Sequence, residues 1–151
     1  MLPPGAIPDS EKFVALKRVP TLAGLSDAEI WELARAARWS RVEKAKNIIR
    51  EGEPGQSFFF AAKGEVKIVR QNRLLNMVST GEFFGEMAYI WGGELPRHAT
   101  ADAMTDLLLA EFESAAVSQM SLGAQLQLVK SLTRNVIDRL VLGNARLANV
   151  R

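Results

Sequence analysis

The chain has 151 residues, 48% hydrophobic and 24% charged, with a formal net charge of +2; this is the size of one domain with its own core and the composition of an ordinary globular protein. Cysteine is absent and His98 is the single histidine, which excludes disulfides, thiolate metal sites, cysteine nucleophiles and histidine-rich metal centres. The small net charge does not call for a polyanionic partner despite a pI of about 9.2, and with no apolar run near the roughly 18 residues that span a bilayer and no signal-peptide pattern, the expectation is a cytoplasmic protein without membrane contact.

Residues 1–9 hold three prolines and a glycine and predict an extended lead-in; the opening reads as a cut from a longer protein. From Ser10 to Arg18, Phe13 and Leu16 stand at helical spacing and Pro20 stops the segment, so a short docking helix is expected. Ser26 and Glu29 have the spacing of a capping box, opening a helix to about Ala37 whose Ile30, Leu33, Ala34 and Ala37 share one face.

After Trp39 the pattern changes to short runs of β-branched and aromatic residues cut by turns. Strands are expected at about 39–43, 47–50, 56–62, 65–70, 73–79, 99–104 and 106–112. Turns fall at 51–55, 63–65, 71–72 and 80–82. Many short strands at regular spacing imply a barrel or sandwich, most simply an antiparallel β jelly roll. Beyond Glu113 the helical period returns, with a short helix at Ala115–Met120 and a long one from about Leu122. Leu126, Val129, Val136, Leu140 and Leu147 line one face of the long helix at heptad-like spacing, and Leu128, Leu132 and Leu142 supply a second. A helix apolar on two sides needs two partners. The β domain is one; the other is a second subunit, a bound ligand or a further domain. With no repeat or linker, the chain reads as a single mainly β, α+β domain spanning 1–151. Its parts are a lead-in and docking helix (1–21), a helix (22–38), the β roll (39–112) and C-terminal helices (113–151).

One stretch, Phe83 to Thr100, reads as a pocket for a small anionic ligand. Gly85 lets backbone approach a ligand, Glu86 places a carboxylate beside it, and Arg97 closes the segment, so phosphate and hydroxyl groups can be held together. Taken alone, Arg97 and Glu86 read as solvated surface charges. Gly52, Gly55, Gly64 and Glu65 read as turn formers, and Phe58-Phe59-Phe60 as core packing rather than a base-stacking platform.

Several elements recur in a telling order: the Arg50-Glu51-Gly52-Glu53-Pro54-Gly55-Gln56 turn, the Ser57-Phe58-Phe59-Phe60 strand, the Lys63-Gly64-Glu65-Val66 turn, Phe84-Gly85-Glu86-Met87-Ala88, and Pro96-Arg97-His98-Ala99. From about Leu22 to Leu147 the chain resembles the cyclic nucleotide-binding domain family. That family includes the catabolite activator protein, protein kinase A regulatory subunits and channel gating domains. The resemblance implies a phosphate-binding cassette within 83–100, a loop and short helix running from Phe84 to Ala99 between two strands. In it, Arg97 matches the arginine that pairs with the cyclic phosphate and Glu86 the acceptor of the ribose 2′-hydroxyl. Amides matching Gly85 and the start of the short helix, Met87 and Ala88, assist. The chemistry of these groups agrees.

Two positions depart from the family pattern. His98 stands where the family has a small residue that biases cAMP against cGMP. Either it donates to the phosphate, with affinity rising toward acidic pH, or it is a solvated imidazole. The base-capping position on the last helix falls near Gly143 and Asn144; Asn144 either reads a purine edge with its amide or is an exposed polar residue.

The expected function is a cyclic nucleotide (cAMP, with cGMP as the other choice) sensor domain without a cofactor or catalysis. Ligand binding passes through the C-terminal helix to a second copy, as a homodimer, or to an effector such as a kinase. The alternative is a dimerisation or interaction module that keeps the fold without nucleotide. An enzyme on a cupin-like roll is set aside, because one histidine and no cysteine leave no facial triad or nucleophile–base pair. DNA binding by this chain alone is not expected: Lys130, Arg134, Arg139, Arg146 and Arg151 spread around the last helix without a recognition helix.

Overall fold

The computed structural model describes residues 6–93 and 95–148, with side chains through residue 143. The helices are α1 (Asp9–Lys17), α2 (Asp27–Ala36), α3 (Glu86–Trp91), α4 (Ser114–Ser118) and α5 (Leu122–Ala148), with a 3-10 turn at Pro20–Leu22. The strands are β1 (Arg38–Val42), β2 (Asn47–Ile49), β3 (Phe58–Lys63), β4 (Val66–Arg70), β5 (Arg73–Val78), β6 (Glu82–Phe84), β7 (Thr100–Ala103) and β8 (Leu107–Phe112). They form two four-stranded antiparallel sheets, ordered β1-β8-β3-β6 and β2-β7-β4-β5. This is the expected jelly roll, preceded by helices and followed by a long one.

Alternation along the strands explains why Phe58–Ala62 of β3 and Leu107–Ala110 of β8 read as unbroken apolar runs. Side chains point to opposite faces in turn. Phe58 and Phe60 on β3, with Leu108, Ala110 and Phe112 on β8, pack under the helices against Leu16, Ile30, Leu33, Leu128 and Leu132. Phe59 and Ala61, with Leu107 and Leu109, turn the other way and meet Ile49, Val66, Val78, Phe84 and Ala101 between the sheets. A strand covered on both faces has no polar side to show. Each of these fully buried large side chains contributes about 1.5–3 kcal/mol of transfer free energy. Phe58 stacks on Phe112 at a centroid distance of 4.9 Å and Phe60 meets Phe83 at 4.9 Å, so aromatic geometry adds to the burial.

The helical layer is pinned by specific polar contacts. The capping box forms as expected: Glu29 N donates to Ser26 Oγ at 3.2 Å and Ser26 N donates to Glu29 Oε1 at 2.9 Å. Glu32 accepts from the backbone N–H and the hydroxyl of Ser121 at 2.9 and 2.7 Å, which ties the start of α5 to α2 and holds the Glu32 carboxyl below its usual range. Ala124, Leu128, Ser131 and Leu132 of α5 are buried against this layer, whereas Leu126, Val129 and Leu140 remain exposed, Leu140 by 61%.

Three expectations are corrected. β6 was assigned to a turn and the cassette, because three residues are too few to show a period; it pairs with β3, Phe84 opposite Phe59 and Phe83 opposite Phe60. Leu142, expected on one apolar face with Leu128 and Leu132, is exposed and lines a cavity instead of packing in the core. Gly55 was read as a turn former, but its left-handed freedom is not used. A Cβ there would lie 2.7 Å from Arg97 Nε. Among the described residues no helix is long and apolar enough to cross a membrane.

Candidate functional site: a cavity beneath the last helix

The end of β6 sets the site. Gly85 follows at φ +75°, a left-handed turn that ends the strand and starts α3. A Cβ there would sit 3.0 Å from Ile49 Cδ1 and 3.3 Å from the Phe59 ring, so conformation and space both require glycine. The turn delivers Glu86 to the first position of α3, where it is 1% exposed. Farther on, the chain returns along the turn that precedes β3. Arg97 N donates to Glu53 O and Gly52 N donates to Arg97 O, both at 2.9 Å, and Pro54 and Pro96 form an isolated bridge. That clamp holds the backbone of Arg97, which is 9% exposed.

The Arg97 guanidinium is boxed in. Its Nη1 donates to Gly85 O at 3.2 Å, its Nη2 to Ser57 Oγ at 3.1 Å, and it lies 5.9 Å over the Phe59 ring. Burial pulls its pKa down from the usual arginine value while Glu111 opposes that pull. Glu86, in turn, accepts from Arg139 Nη1 of α5, and Arg139 Nη2 donates to Phe83 O. Asn135 Nδ2 donates to the same carbonyl at 2.8 Å. The last helix is therefore latched to the cassette. The cavity between them has a volume of about 290 Å³. Phe84, Gly85, Glu86, Met87, Ala88, Arg97, His98 and Ala99 all line it, with Ile49, Ile68, Leu75 and Ala101 as apolar walls and Leu142 and Gly143 at the α5 side. A buried guanidinium suits an anion, a buried carboxylate suits a hydroxyl, and the walls suit a ring.

A model described as "Cyclic nucleotide-binding domain" matches residues 39–122. The chain belongs to the cyclic nucleotide-binding domain family. It is 32% identical over 117 residues to a cAMP-dependent protein kinase regulatory subunit of Debaryomyces hansenii, covering 77% of this chain and 25% of the relative. It is 39% identical over 97 residues to a cyclic nucleotide-gated potassium channel of Mesorhizobium japonicum, covering 64% and 26%. The chain thus spans about a quarter of the length of these curated relatives. Its fold is also that of a cyclic nucleotide-binding domain from Methylobacillus flagellatus, with a TM-score of 0.82 at 18% identity over 95% of this chain and 84% of that one.

Within this cyclic nucleotide-binding domain His98 is exposed and sits against Arg70 of β4, whose Nη1 lies 2.9 Å from His98 Nε2 and also contacts Nδ1. A guanidinium only donates, so it pairs with the one unprotonated nitrogen of a neutral imidazole and disfavours the imidazolium. Partial burial and then Arg70 push the His98 pKa down, against an opposing pull from Glu51. Protonation of His98 is thereby moved toward acid. Asn144 belongs to α5, but its side chain lies outside the described residues.

Some residues that build the site carry little signal in the sequence. Arg139 stands among several basic residues spread around the last helix, but Asn135 and Arg139 continue the row begun by Leu128 and Leu132 at helical spacing, which is the signal that turns it toward the domain. Ser57 carried no signal of its own beyond its place beside the phenylalanine run.

Proposed function

We propose that the chain is a cAMP-binding regulatory domain that reports ligand binding through α5. The observation that carries this reading is that buried Arg97 and buried Glu86 line one cavity whose outer side is formed by α5. The cyclic phosphate takes the remaining donors of Arg97 as charge-assisted bonds, helped by the N–H groups of the first turn of α3, which have no partner within the helix itself. Glu86 accepts the ribose 2′-hydroxyl. The purine occupies the apolar space between Ile68, Leu75 and Leu142, so the base contact from the last helix comes from Leu142 at this level of α5. The names of the regulatory-subunit relatives support cAMP over cGMP.

Transmission follows from one shared carboxylate. A ribose hydroxyl on Glu86 enters the contact that Arg139 makes with the same carboxylate, so ligand and α5 address one group. The helix responds only by as much as the ligand distinguishes its two positions. Its exposed Leu126, Val129 and Leu140 would then be offered differently to a second copy or to an effector such as a kinase. Isothermal titration of the intact chain with cAMP and cGMP tests this: binding is expected, tighter for cAMP. An intact fold that gives no heat and no thermal stabilisation with either nucleotide would favour an interaction module instead.

A further inference from the structure

We infer that Glu111, acting through the Ser57 hydroxyl, is a positioning residue that aims Arg97 at the phosphate. Ser57 Oγ donates to Glu111 Oε2 at 2.8 Å and lies 3.1 Å from Arg97 Nη2. Since the hydroxyl has one proton and gives it to the carboxylate, it faces the guanidinium as an acceptor. The order is Arg97 N–H to Ser57 oxygen, then Ser57 O–H to the Glu111 carboxylate. β8 places Glu111 opposite Phe59 of β3, beside the ring that underlies the guanidinium.

This arrangement reconciles two demands on Arg97. A buried guanidinium needs a compensating charge, but a carboxylate paired with it directly in two-pronged fashion would occupy the donors that the phosphate must take. Interposing a hydroxyl spends one Nη2 donor, supplies the field of a carboxylate, and leaves outward donors for the ligand. The carboxylate that lines the cavity, Glu86, is engaged by Arg139, so each arginine has its own acid. The inference rests on the reading of Arg97 as the phosphate-binding residue.

The test is a titration of cAMP into the full chain, its Glu111→Gln, Ser57→Ala and Ser57→Thr variants, and Glu111→Gln in an Arg97→Lys background, with melting curves alongside. Glu111→Gln and Ser57→Ala should each weaken binding by roughly tenfold. Ser57→Thr, which keeps a hydroxyl, should restore it, and Glu111→Gln should cost nothing further once lysine replaces Arg97. If Ser57→Ala does not fold, Glu111→Gln and Ser57→Thr still decide. Wild-type affinity in Glu111→Gln overturns the inference alone, as does an equal loss in the lysine background. Absence of cAMP binding by the wild-type chain overturns the underlying reading with it.

Discussion

Gly55→Ala isolates the geometry of the proposed phosphate site. The new Cβ would lie 2.7 Å from Arg97 Nε and 2.9 Å from Nη2, where ordinary contact begins near 3.4 Å. The guanidinium must therefore retreat by roughly 0.7 Å, because it is the freer of the two partners. That displacement strains its bonds to Gly85 O and Ser57 Oγ and misaligns the donors meant for the ligand. Bonds to charged groups contribute about 1.5–3 kcal/mol each. Partial loss of one or two of them corresponds to a 10- to 100-fold weaker affinity, on the order of 1.4–2.8 kcal/mol. The fold itself should tolerate the change, since Gly55 does not use the left-handed region and alanine lowers the entropy of the unfolded chain by about 0.4–1 kcal/mol. Isothermal titration with cAMP reads the affinity and a melting curve reads the fold. Unchanged affinity would refute the reasoning, and so would a fall in melting temperature large enough to account for the lost binding.

Arg97→Ala removes the charge-assisted donors proposed for the phosphate and is expected to abolish thermal stabilisation by cAMP; retained stabilisation argues against the assignment. Arg139→Ala breaks the latch on Glu86 and Phe83 O, so amide exchange in α5 beyond Asn135 should quicken about tenfold or more, with Arg134→Ala as the exposed control. Because the pKa of His98 in the fold lies below its ordinary 6.5, the unfolded chain takes up the proton first as pH falls. The stabilisation is present above about pH 6.5 and is lost below it. Wild type should lose more thermal stability than His98→Ala between about pH 7 and 5.5, and parallel curves would contradict that. Phe58→Ala empties a fully buried site between β3 and the helices, at a cost of about 3–5 kcal/mol, and should lower the melting temperature by roughly 10 °C.

What could be read without coordinates was local. Ser26 and Glu29 carry their helix start in a three-residue spacing, and the runs at Phe58–Ala62 and Leu107–Ala110 announce strands covered on both faces. The ordered glycines, the Phe84–Ala88 segment and Pro96–Ala99 carry the family resemblance, and the eight described residues taken from them line one cavity. Each of these signals spans a few residues, the range over which backbone preference and side-chain period act.

Other features depend on contacts between segments far apart in the chain. β6 exists because β3 offers it an edge. Ser57 and Glu111 meet because the β3–β8 register brings residues 54 positions apart together. Arg139 reaches Glu86 only because α5 crosses the cassette, and Gly55 is required by an arginine 42 positions later rather than by its own turn. The sequence by itself determined the roll and its capping, which follow from propensity and period, and it carried the cassette pattern through its resemblance to the family. The tertiary structure decided which acid faces which base around the cavity, because side-chain pairing is set by strand register and helix crossing, neither of which leaves a local mark on the residues it joins.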